Sequence, residues 1–302
     1  MPEWRSVWAR IAGLTGALLC ALVAITPAHA EITVEDFLGR SVRLEQPAQR
    51  IVALAPHIVE NLYAAGVGDR LVGAVSHSDY PPAASALPEV GGPASFSMES
   101  LVALDPDLVV VWSSAQGASK SALAQFARLG IPVYIDRPRA LEDIPRAIVD
   151  FGRLAGRPAH ARTVAADFRR RLDALRARYA NRAPVSLFYQ VWNEPLQTVG
   201  GDHFISQVIE ACGARNVFAD AATLAPRIGI ESVLARDPQV IVASGAGASR
   251  PGGLDAWRQW PSLQAVANDD LYVVNPDLIQ RPTTRILQGA RRLCRAVDAA
   301  RD

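Results

Sequence analysis

Lysine is almost missing from the chain, and neither sign of charge is in excess. The 302 residues contain 31 Lys+Arg against 30 Asp+Glu, a formal net charge of +1, and Lys120 is the only lysine. A nucleic-acid-binding domain needs a surplus of basic residues on one face to neutralise phosphates. The balanced charge therefore argues against a dedicated nucleic-acid binder, and we expect no nucleic-acid partner.

Several motifs of enzymes are also missing. The chain has no G-x-S-x-G nucleophile elbow, no H-E-x-x-H metal motif and no P-loop. Gly245 and Gly247 follow an apolar run, but Arg250 stands where a dinucleotide-binding loop needs its third glycine. These absences assign no catalytic residue.

A long hydrophobic run occurs only at the start of the chain. Arg5 and Arg10 precede the apolar stretch Ile11–Ile25, and an A-x-A cleavage site ends at Ala30. This order is typical of a secretory signal peptide, so we expect 1–30 to be removed and the product to be soluble and exported. A retained membrane anchor is the alternative.

Cysteine is scarce, with three in the whole chain and only Cys212 and Cys294 after cleavage. In an oxidising compartment such a pair normally closes, which favours a disulfide; two buried free thiols are the alternative. No C-x-x-C occurs, and a metal site would need more soft ligands close together.

The chain contains an internal repeat. Met98–Pro106 and Ile230–Pro238 share the pattern E-S-x-x-A-x-D-P, and they run into the apolar stretches Leu108–Val111 and Val240–Ala243. Such runs are typical of strands buried on both faces of a parallel sheet. The repeat predicts an α/β protein of two lobes, each with a central, mainly parallel sheet flanked by helices.

One long amphipathic helix is predicted between the two copies, over Arg157–Arg182. Its apolar residues Val164, Phe168, Leu172 and Leu175 recur at helical spacing, and no glycine interrupts it. A single rigid helix between two lobes leaves a cleft and allows only small hinge motion. The expected segments are an N-terminal lobe (31–154), a backbone helix (155–183) and a C-terminal lobe (184–302).

Three histidines suggest an alternative from another functional class. His57, His77 and His203 fall in or near predicted loops after strands, where the cleft would open. Three histidines can hold a zinc ion, so the alternative is a secreted metal-dependent hydrolase. A loop histidine is more often merely solvated, and we expect no metal site and no catalysis.

Aromatic side chains are frequent near the predicted carboxyl ends of strands, where ligands bind in open parallel sheets. Large flat apolar side chains there suit a large flat ligand, such as a macrocycle, better than a phosphate or a sugar acid. Core packing is an equal alternative for Phe96. The candidates are Tyr80, Phe96, Trp112, Tyr189 and Trp192.

Several segments resemble the periplasmic vitamin B12-binding proteins. The resemblance covers nearly all of the mature chain, and these proteins are the substrate-binding subunits of ABC importers for corrinoids. Their wider class also carries haem and siderophores. The matching segments are Arg50–Pro56 with Glu60, Ser76–Pro82, Glu99 with Leu104–Asp107, Ala211–Gly213 with Asn216–Phe218, Glu231, and Arg285 with Leu293–Cys294.

The resemblance implies a monomeric periplasmic protein that binds a corrinoid between its lobes and delivers it to an ABC permease. A haem or ferric-siderophore carrier is the alternative within the class. In the family, a glutamate at the start of the equivalent short helix of each lobe docks onto arginines of the permease. Those positions are Glu99 and Glu231 here, although a glutamate at a helix start also favours the helix dipole.

The resemblance also implies roles in the ligand cleft. His77 replaces a family tyrosine, Trp112 matches a family tryptophan, and Asp277 and Arg281 match residues that contact the corrin periphery. We expect Trp192 to compensate for a family tryptophan that the second lobe lacks. The expected ligand-binding set is His77, Asp79, Tyr80, Trp112, Tyr189, Trp192, Asp277 and Arg281.

Overall fold

Two four-stranded parallel sheets form the centre of the computed structural model, which describes residues 31–92, 95–113, 120–245 and 252–301. The expected signal peptide, 1–30, lies outside the described residues. Within the described part of the chain, no helix combines the length and the apolar character that a membrane crossing requires.

The first sheet has the strand order β4-β3-β5-β6, and every neighbouring pair is parallel. An antiparallel hairpin, β1 with β2, precedes it in the chain. The strands are β1 (Ile32–Glu35), β2 (Ser41–Leu44), β3 (Ile51–Ala53), β4 (Leu71–Ala74), β5 (Leu108–Trp112) and β6 (Val133–Asp136). The helices up to the second lobe are α1 (Pro56–Ala64), α2 (Met98–Val102), α3 (Lys120–Arg128), α4 (Asp143–Leu154) and α5 (Pro158–Tyr179).

The second sheet has the order β10-β7-β11-β12 and is also parallel throughout. A two-stranded hairpin, β8 with β9, follows its first strand. The strands are β7 (Val185–Gln190), β8 (Trp192–Asn193), β9 (Leu196–Gln197), β10 (Ala214–Asn216), β11 (Val240–Ser244) and β12 (Leu271–Val274). The helices are α6 (Phe204–Ala211), α7 (Ile230–Arg236), α8 (Gly252–Asp255), α9 (Gln264–Ala267) and α10 (Ile286–Ala299).

The two sheets have the same topology, as the internal repeat predicts. In each, the second strand along the chain lies outside the first, and the third and fourth follow on the other side. In each lobe, the helix that follows the first strand of the parallel sheet, α1 after β3 and α6 after β7, is followed by a glycine with positive φ. These are Gly66 at 78° and Gly213 at 68°. Glycine adopts this left-handed conformation without steric cost, so both helices end in the same way.

The apolar runs of the repeat are central strands, which confirms their prediction as doubly buried. Leu108–Val111 and Val240–Ala243 are all buried. A strand alternates its side chains between two faces, so complete burial requires cover on both sides of the sheet. One hydrophobic cluster runs through both lobes by way of α4, α5, α6 and α10, and a separate cluster covers the outer face of each sheet.

The long helix between the lobes is α5, which begins at Pro158 and ends at Tyr179. Proline is well tolerated at the first helical position because its missing N–H has no partner there. Phe168 and Leu172 are buried, as the helical periodicity predicts. The helix packs along α4 and reaches the second lobe, where the Tyr179 hydroxyl donates a 3.0 Å hydrogen bond to Asp298 of α10.

Cys212 and Cys294 form a disulfide with their Cα atoms 4.8 Å apart, which confirms the predicted pairing. Cys212 follows the last residue of α6, and Cys294 lies within α10. The bond closes a stretch of 82 residues in the second lobe. It attaches the C-terminal helix to the body of that lobe.

Candidate functional site

The two lobes meet where connections at the carboxyl ends of both sheets come together. From the first lobe, α1 follows β3, and Asp79 and Tyr80 lie beyond the end of β4. From the second lobe, the segment 275–285 joins β12 to α10. The side-chain amide of Asn61 donates a 3.0 Å hydrogen bond to the carbonyl of Pro282 across this seam. Ligands of open parallel sheets bind at this edge.

Five charged residues form a cluster across the seam, which we call the interlobe ion cluster. Arg281 contacts three carboxylates, with distances of 3.1 Å to Glu60, 2.8 Å to Asp79 and 2.9 Å to Asp277. Arg285 contacts the same oxygen of Glu60, Oε1, at 3.2 Å. Glu60 and Asp79 belong to the first lobe, and the other three belong to the second.

The pKa values of Glu60 and Asp79, two carboxyl groups of the interlobe ion cluster, are shifted in opposite directions. Burial raises the pKa of Glu60, and the two arginines offset that shift only in part. Partial burial also disfavours the Asp79 carboxylate, but the hydrogen bond and charge of Arg281 outweigh it and lower the pKa of Asp79. Asp79 therefore stays ionised, while Glu60 depends on its two arginine partners for its charge.

Tyr80 is linked to the same cluster through its ring. The guanidinium carbon of Arg285 lies 3.8 Å from the ring centroid, a cation–π contact, and 42% of the Tyr80 residue is exposed. His77, two residues before Asp79, is exposed as well and has a φ of 64°. The structure thus brings four predicted ligand residues, Asp79, Tyr80, Asp277 and Arg281, together at the seam.

Trp112 occupies the carboxyl end of β5 and packs against His57, which is buried and hydrogen-bonded to Asp136. Its ring meets the His57 ring edge to face, with centroids 5.3 Å apart. His57 Nε2 hydrogen-bonds to Asp136 Oδ2 at 2.9 Å, and Asp136, at the end of β6, pairs in register with Trp112. Trp112 is 36% exposed, so one part of the indole is fixed by His57 while another remains open.

Trp192 lies on the second lobe, just past the carboxyl end of β7. It begins the short β8–β9 hairpin, and its indole N–H donates a 2.9 Å hydrogen bond to the carbonyl of Glu194. With 52% of its surface exposed, Trp192 presents an aromatic face that no core contact covers fully. Both tryptophans thus lie at the carboxyl end of a parallel sheet.

Tyr189 does not face an open cleft, and that prediction is wrong. It is completely buried within the core that runs through both lobes, while its neighbour Phe188 packs in the outer core of the second lobe. Leu187 and Tyr189 of β7 pack in one core cluster and Phe188 packs in another, so both faces of this strand are covered. Phe96 also serves as a packing residue, since it stacks on the buried Phe126.

The three histidines of the alternative hydrolase have separate roles. His57 supports Trp112, and the Nδ1 atom of His203 accepts a hydrogen bond from the Ile205 amide at the start of α6. Across the described ranges, no group of three His, Cys, Asp or Glu side chains could hold a metal ion. The proposed three-histidine zinc site is therefore not formed by these residues.

His203 makes the stability of the protein depend on pH. Burial lowers the pKa of His203 to about 4 from 6.5, so the folded state holds a neutral imidazole while the unfolded chain takes up a proton below pH 6.5. Its contribution is fully present above pH 6.5 and is lost as the pH falls towards 4. Between pH 7.5 and 5 the free energy of unfolding should fall by about 2 kcal/mol from this group.

Urea unfolding at both pH values tests this prediction. In His203→Asn, which keeps a side-chain acceptor at the helix start, the fall should shrink by that amount. His160→Asn, at an exposed histidine, is the matched control and should behave as the wild type. Equal falls in wild type and His203→Asn would contradict the prediction.

Glu99 and Glu231 are both exposed in the first turn of their helices, α2 and α7. The cap of α2 is Ser97, whose hydroxyl accepts a hydrogen bond from the Ser100 amide, whereas the N-cap of α7 is Gly229, which has no side chain to act as a cap. In the part of the chain that is described, neither carboxylate forms an ion pair. Ser97 therefore caps α2 without Glu99, whereas α7 has Glu231 in its first turn and no side-chain cap.

Sequence reasoning did not assign roles to Glu60, Arg285 or Asp136. One signal for Glu60 was present, because a single acidic residue stands inside the apolar run of α1 and a buried charge requires a partner. The partners themselves lie more than 200 residues away, at separations of 221 and 225. No local pattern connects them.

A family model described as periplasmic binding protein matches residues 51–278 of the chain. The chain is 38% identical to the vitamin B12-binding protein of Vibrio cholerae over 249 residues, which cover 82% of this chain and 88% of that protein. It is 34% identical to the vitamin B12-binding protein of Yersinia pestis, covering 82% of this chain and 86% of the relative.

Solved structures give the same pattern. The crystal structure of the Vibrio cholerae periplasmic vitamin B12-binding protein matches with a TM-score of 0.76 and 37% identity, covering 84% of this chain and 98% of that one. The periplasmic haem-binding protein RhuT of Roseiflexus matches with a TM-score of 0.74 and 25% identity, covering 84% of this chain and 99% of that one.

Proposed function

The chain belongs to the periplasmic binding protein family, and from this membership we propose that it binds a corrinoid between its lobes and delivers it to an ABC permease. It is a solute-binding protein rather than an enzyme, so the corrinoid is cargo and not a cofactor. We place the protein in the periplasm, as a monomer, after cleavage near Ala30. The two lobes of 31–154 and 184–302, with the helix of 155–183 between them, hold the ligand at their seam.

The observation that carries this proposal is the interlobe ion cluster with Tyr80 beside it. A corrin has a large apolar macrocycle surrounded by amide side chains. Exposed aromatic rings fit the macrocycle, and charged groups such as Asp277 and Arg281 fit the amides as hydrogen-bond partners. The relatives from Vibrio cholerae and Yersinia pestis are named for vitamin B12. The ligand-binding residues we propose are His77, Asp79, Tyr80, Trp112, Trp192, Asp277 and Arg281.

Haem is a second candidate, favoured by His77. This imidazole is exposed next to the cluster, and histidine is a common axial ligand of haem iron. The same residue can hydrogen-bond a corrin amide or coordinate cobalt. The structural relative RhuT is named as haem-binding, so the two candidate ligands have to be distinguished by experiment.

Calorimetric titration with cyanocobalamin tests the corrinoid proposal. We expect saturable heat with one ligand per chain and a change in the visible spectrum of the bound cobalamin. No heat and no spectral change at micromolar protein would overturn the proposal. Titration with haemin in parallel tests the second candidate, which requires a Soret band from the bound haem.

For delivery, we propose that Glu99 and Glu231 dock onto arginines of the permease. Each is an exposed carboxylate at the same place of its lobe, so the two can meet two equivalent pockets of a symmetric membrane partner. A charge-assisted hydrogen bond between carboxylate and guanidinium is strong and directional.

A further inference from the structure

We propose that Glu60 is a positioning residue, which fixes Arg285 against the ring of Tyr80 and so shapes one wall of the ligand cleft. This inference rests on the proposed corrinoid-binding function, in which Tyr80 touches the ligand. Glu60 is buried beneath the seam and contacts both Arg281 and Arg285, and the inference concerns its effect through Arg285.

Glu60 of the first lobe forms hydrogen bonds with two arginines of the second lobe. Its residue is 5% exposed, and the same oxygen, Oε1, accepts hydrogen bonds from Arg281 at 3.1 Å and from Arg285 at 3.2 Å. A buried carboxylate that pairs with two arginines of the other lobe fixes the positions of their guanidinium groups.

The two arginines depend on Glu60 to different extents. Arg281 keeps Asp79 and Asp277 as partners when Glu60 is removed. Arg285 does not, because no other carboxylate of the described chain lies within ion-pair distance of it. Loss of the Glu60 charge therefore frees Arg285 selectively.

Arg285 transmits this effect to the cleft. Its guanidinium carbon lies 3.8 Å from the centre of the Tyr80 ring. The guanidinium group of arginine is planar, so it can pair with a carboxylate and stack on an aromatic ring at the same time. Tyr80 is 42% exposed, so Arg285 covers one face of its ring and leaves part of the ring accessible to a ligand. The order of dependence is Glu60, then Arg285, then Tyr80.

Calorimetry with cyanocobalamin on Glu60→Gln, Arg285→Gln and the double variant tests this order. Each single variant should weaken binding about tenfold, the scale of one charged hydrogen bond, and the double variant should lose no more than either. Losses that add in the double variant would overturn the proposal, because they show that Glu60 acts independently of Arg285. Wild-type affinity in Glu60→Gln would overturn it as well.

Glu142→Gln is the matched control. Glu142 also contacts two arginines, Arg169 at 3.3 Å and Arg176 at 3.5 Å, but it is exposed at the start of α4 and both arginines lie on α5, outside the seam. The same substitution there should leave corrinoid affinity unchanged. A tenfold loss in this control would show a general effect of removing a carboxylate and would overturn the assignment to Glu60.

A second measurement needs no ligand. In the NMR spectrum of the ligand-free protein, the Arg285 side-chain N–H signal should be shifted upfield by the Tyr80 ring and should return to its ordinary position in Glu60→Gln. An unmoved signal would overturn the proposal. If the wild type binds no cyanocobalamin, the proposed function fails. The NMR measurement then still tests whether the contact between Arg285 and Tyr80 depends on Glu60.

Arg285→Lys keeps the proposal testable if Glu60→Gln does not fold. Lysine keeps the charge opposite Glu60 but has no planar group to stack on Tyr80. Binding should weaken to a similar extent, with the fold retained by circular dichroism. Unchanged affinity in Arg285→Lys would overturn the proposal.

Discussion

Replacing both Glu99 and Glu231 with alanine should abolish ligand import while leaving ligand affinity unchanged. The two carboxylates are exposed, lie in the first turns of short helices and make no ion pair within the described chain. Their loss leaves the seam intact but removes one charged contact from each lobe. Desolvated charge pairs at an interface typically cost 2–5 kcal/mol each when one partner is removed, and two such losses reduce docking by several orders of magnitude.

The measurement combines calorimetry on the purified variant with uptake of labelled corrinoid by cells that carry the permease. Single variants should give intermediate uptake, since each retains one docking carboxylate. The control is Glu45→Ala with Glu210→Ala, which removes one exposed carboxylate per lobe elsewhere. Weaker ligand binding in the Glu99/Glu231 variant, or normal uptake, would contradict the docking role.

Replacing Cys212 and Cys294 with serine should lower the free energy of unfolding by about 2–5 kcal/mol. The disulfide closes 82 residues of the second lobe, and a closed loop of that length greatly restricts the unfolded chain. Both cysteines are buried, so serine also introduces hydroxyl groups into the core. The loss should appear as a lower denaturation midpoint at the same secondary-structure content.

Guanidinium unfolding with and without a reducing agent provides the internal control. Reduction should destabilise the wild type by a similar amount and leave the double serine variant unaffected. Equal stability of wild type and variant under oxidising conditions would show that the bond contributes nothing. A response of the serine variant to reductant would show that the agent acts by another route.

Local patterns in the sequence were sufficient for the framework of the fold. The runs Leu108–Val111 and Val240–Ala243 predicted buried parallel strands because continuous apolar segments need cover on both faces, and both are central strands. The spacing of Phe168 and Leu172 predicted α5 because helical periodicity is a local property. The cysteine pair followed from the export signal and the count of cysteines, together with the redox chemistry of exported proteins.

The candidate site was accessible from the sequence only in part. Asp79, Asp277 and Arg281 were selected by resemblance, and Tyr80 also as an aromatic residue near a predicted strand end. The structure places all four in or against one ion cluster. Tyr189 was misjudged because a residue near a strand end has no local signal that tells which sheet face is covered. Burial there depends on helices packed from elsewhere in the chain.

The sequence by itself determined the buried strands Leu108–Val111 and Val240–Ala243 and the long helix between the lobes, because apolar runs and helical periodicity are local properties. It also determined the repeat of the lobes, because the two copies can be compared residue by residue. Only the tertiary structure decided that Glu60 meets Arg285 and that His57 meets Asp136, over separations of 225 and 79 residues. Such pairs form when two independently specified elements are brought into register by packing. Their charges and hydrogen bonds gain strength from that burial, which no local pattern encodes.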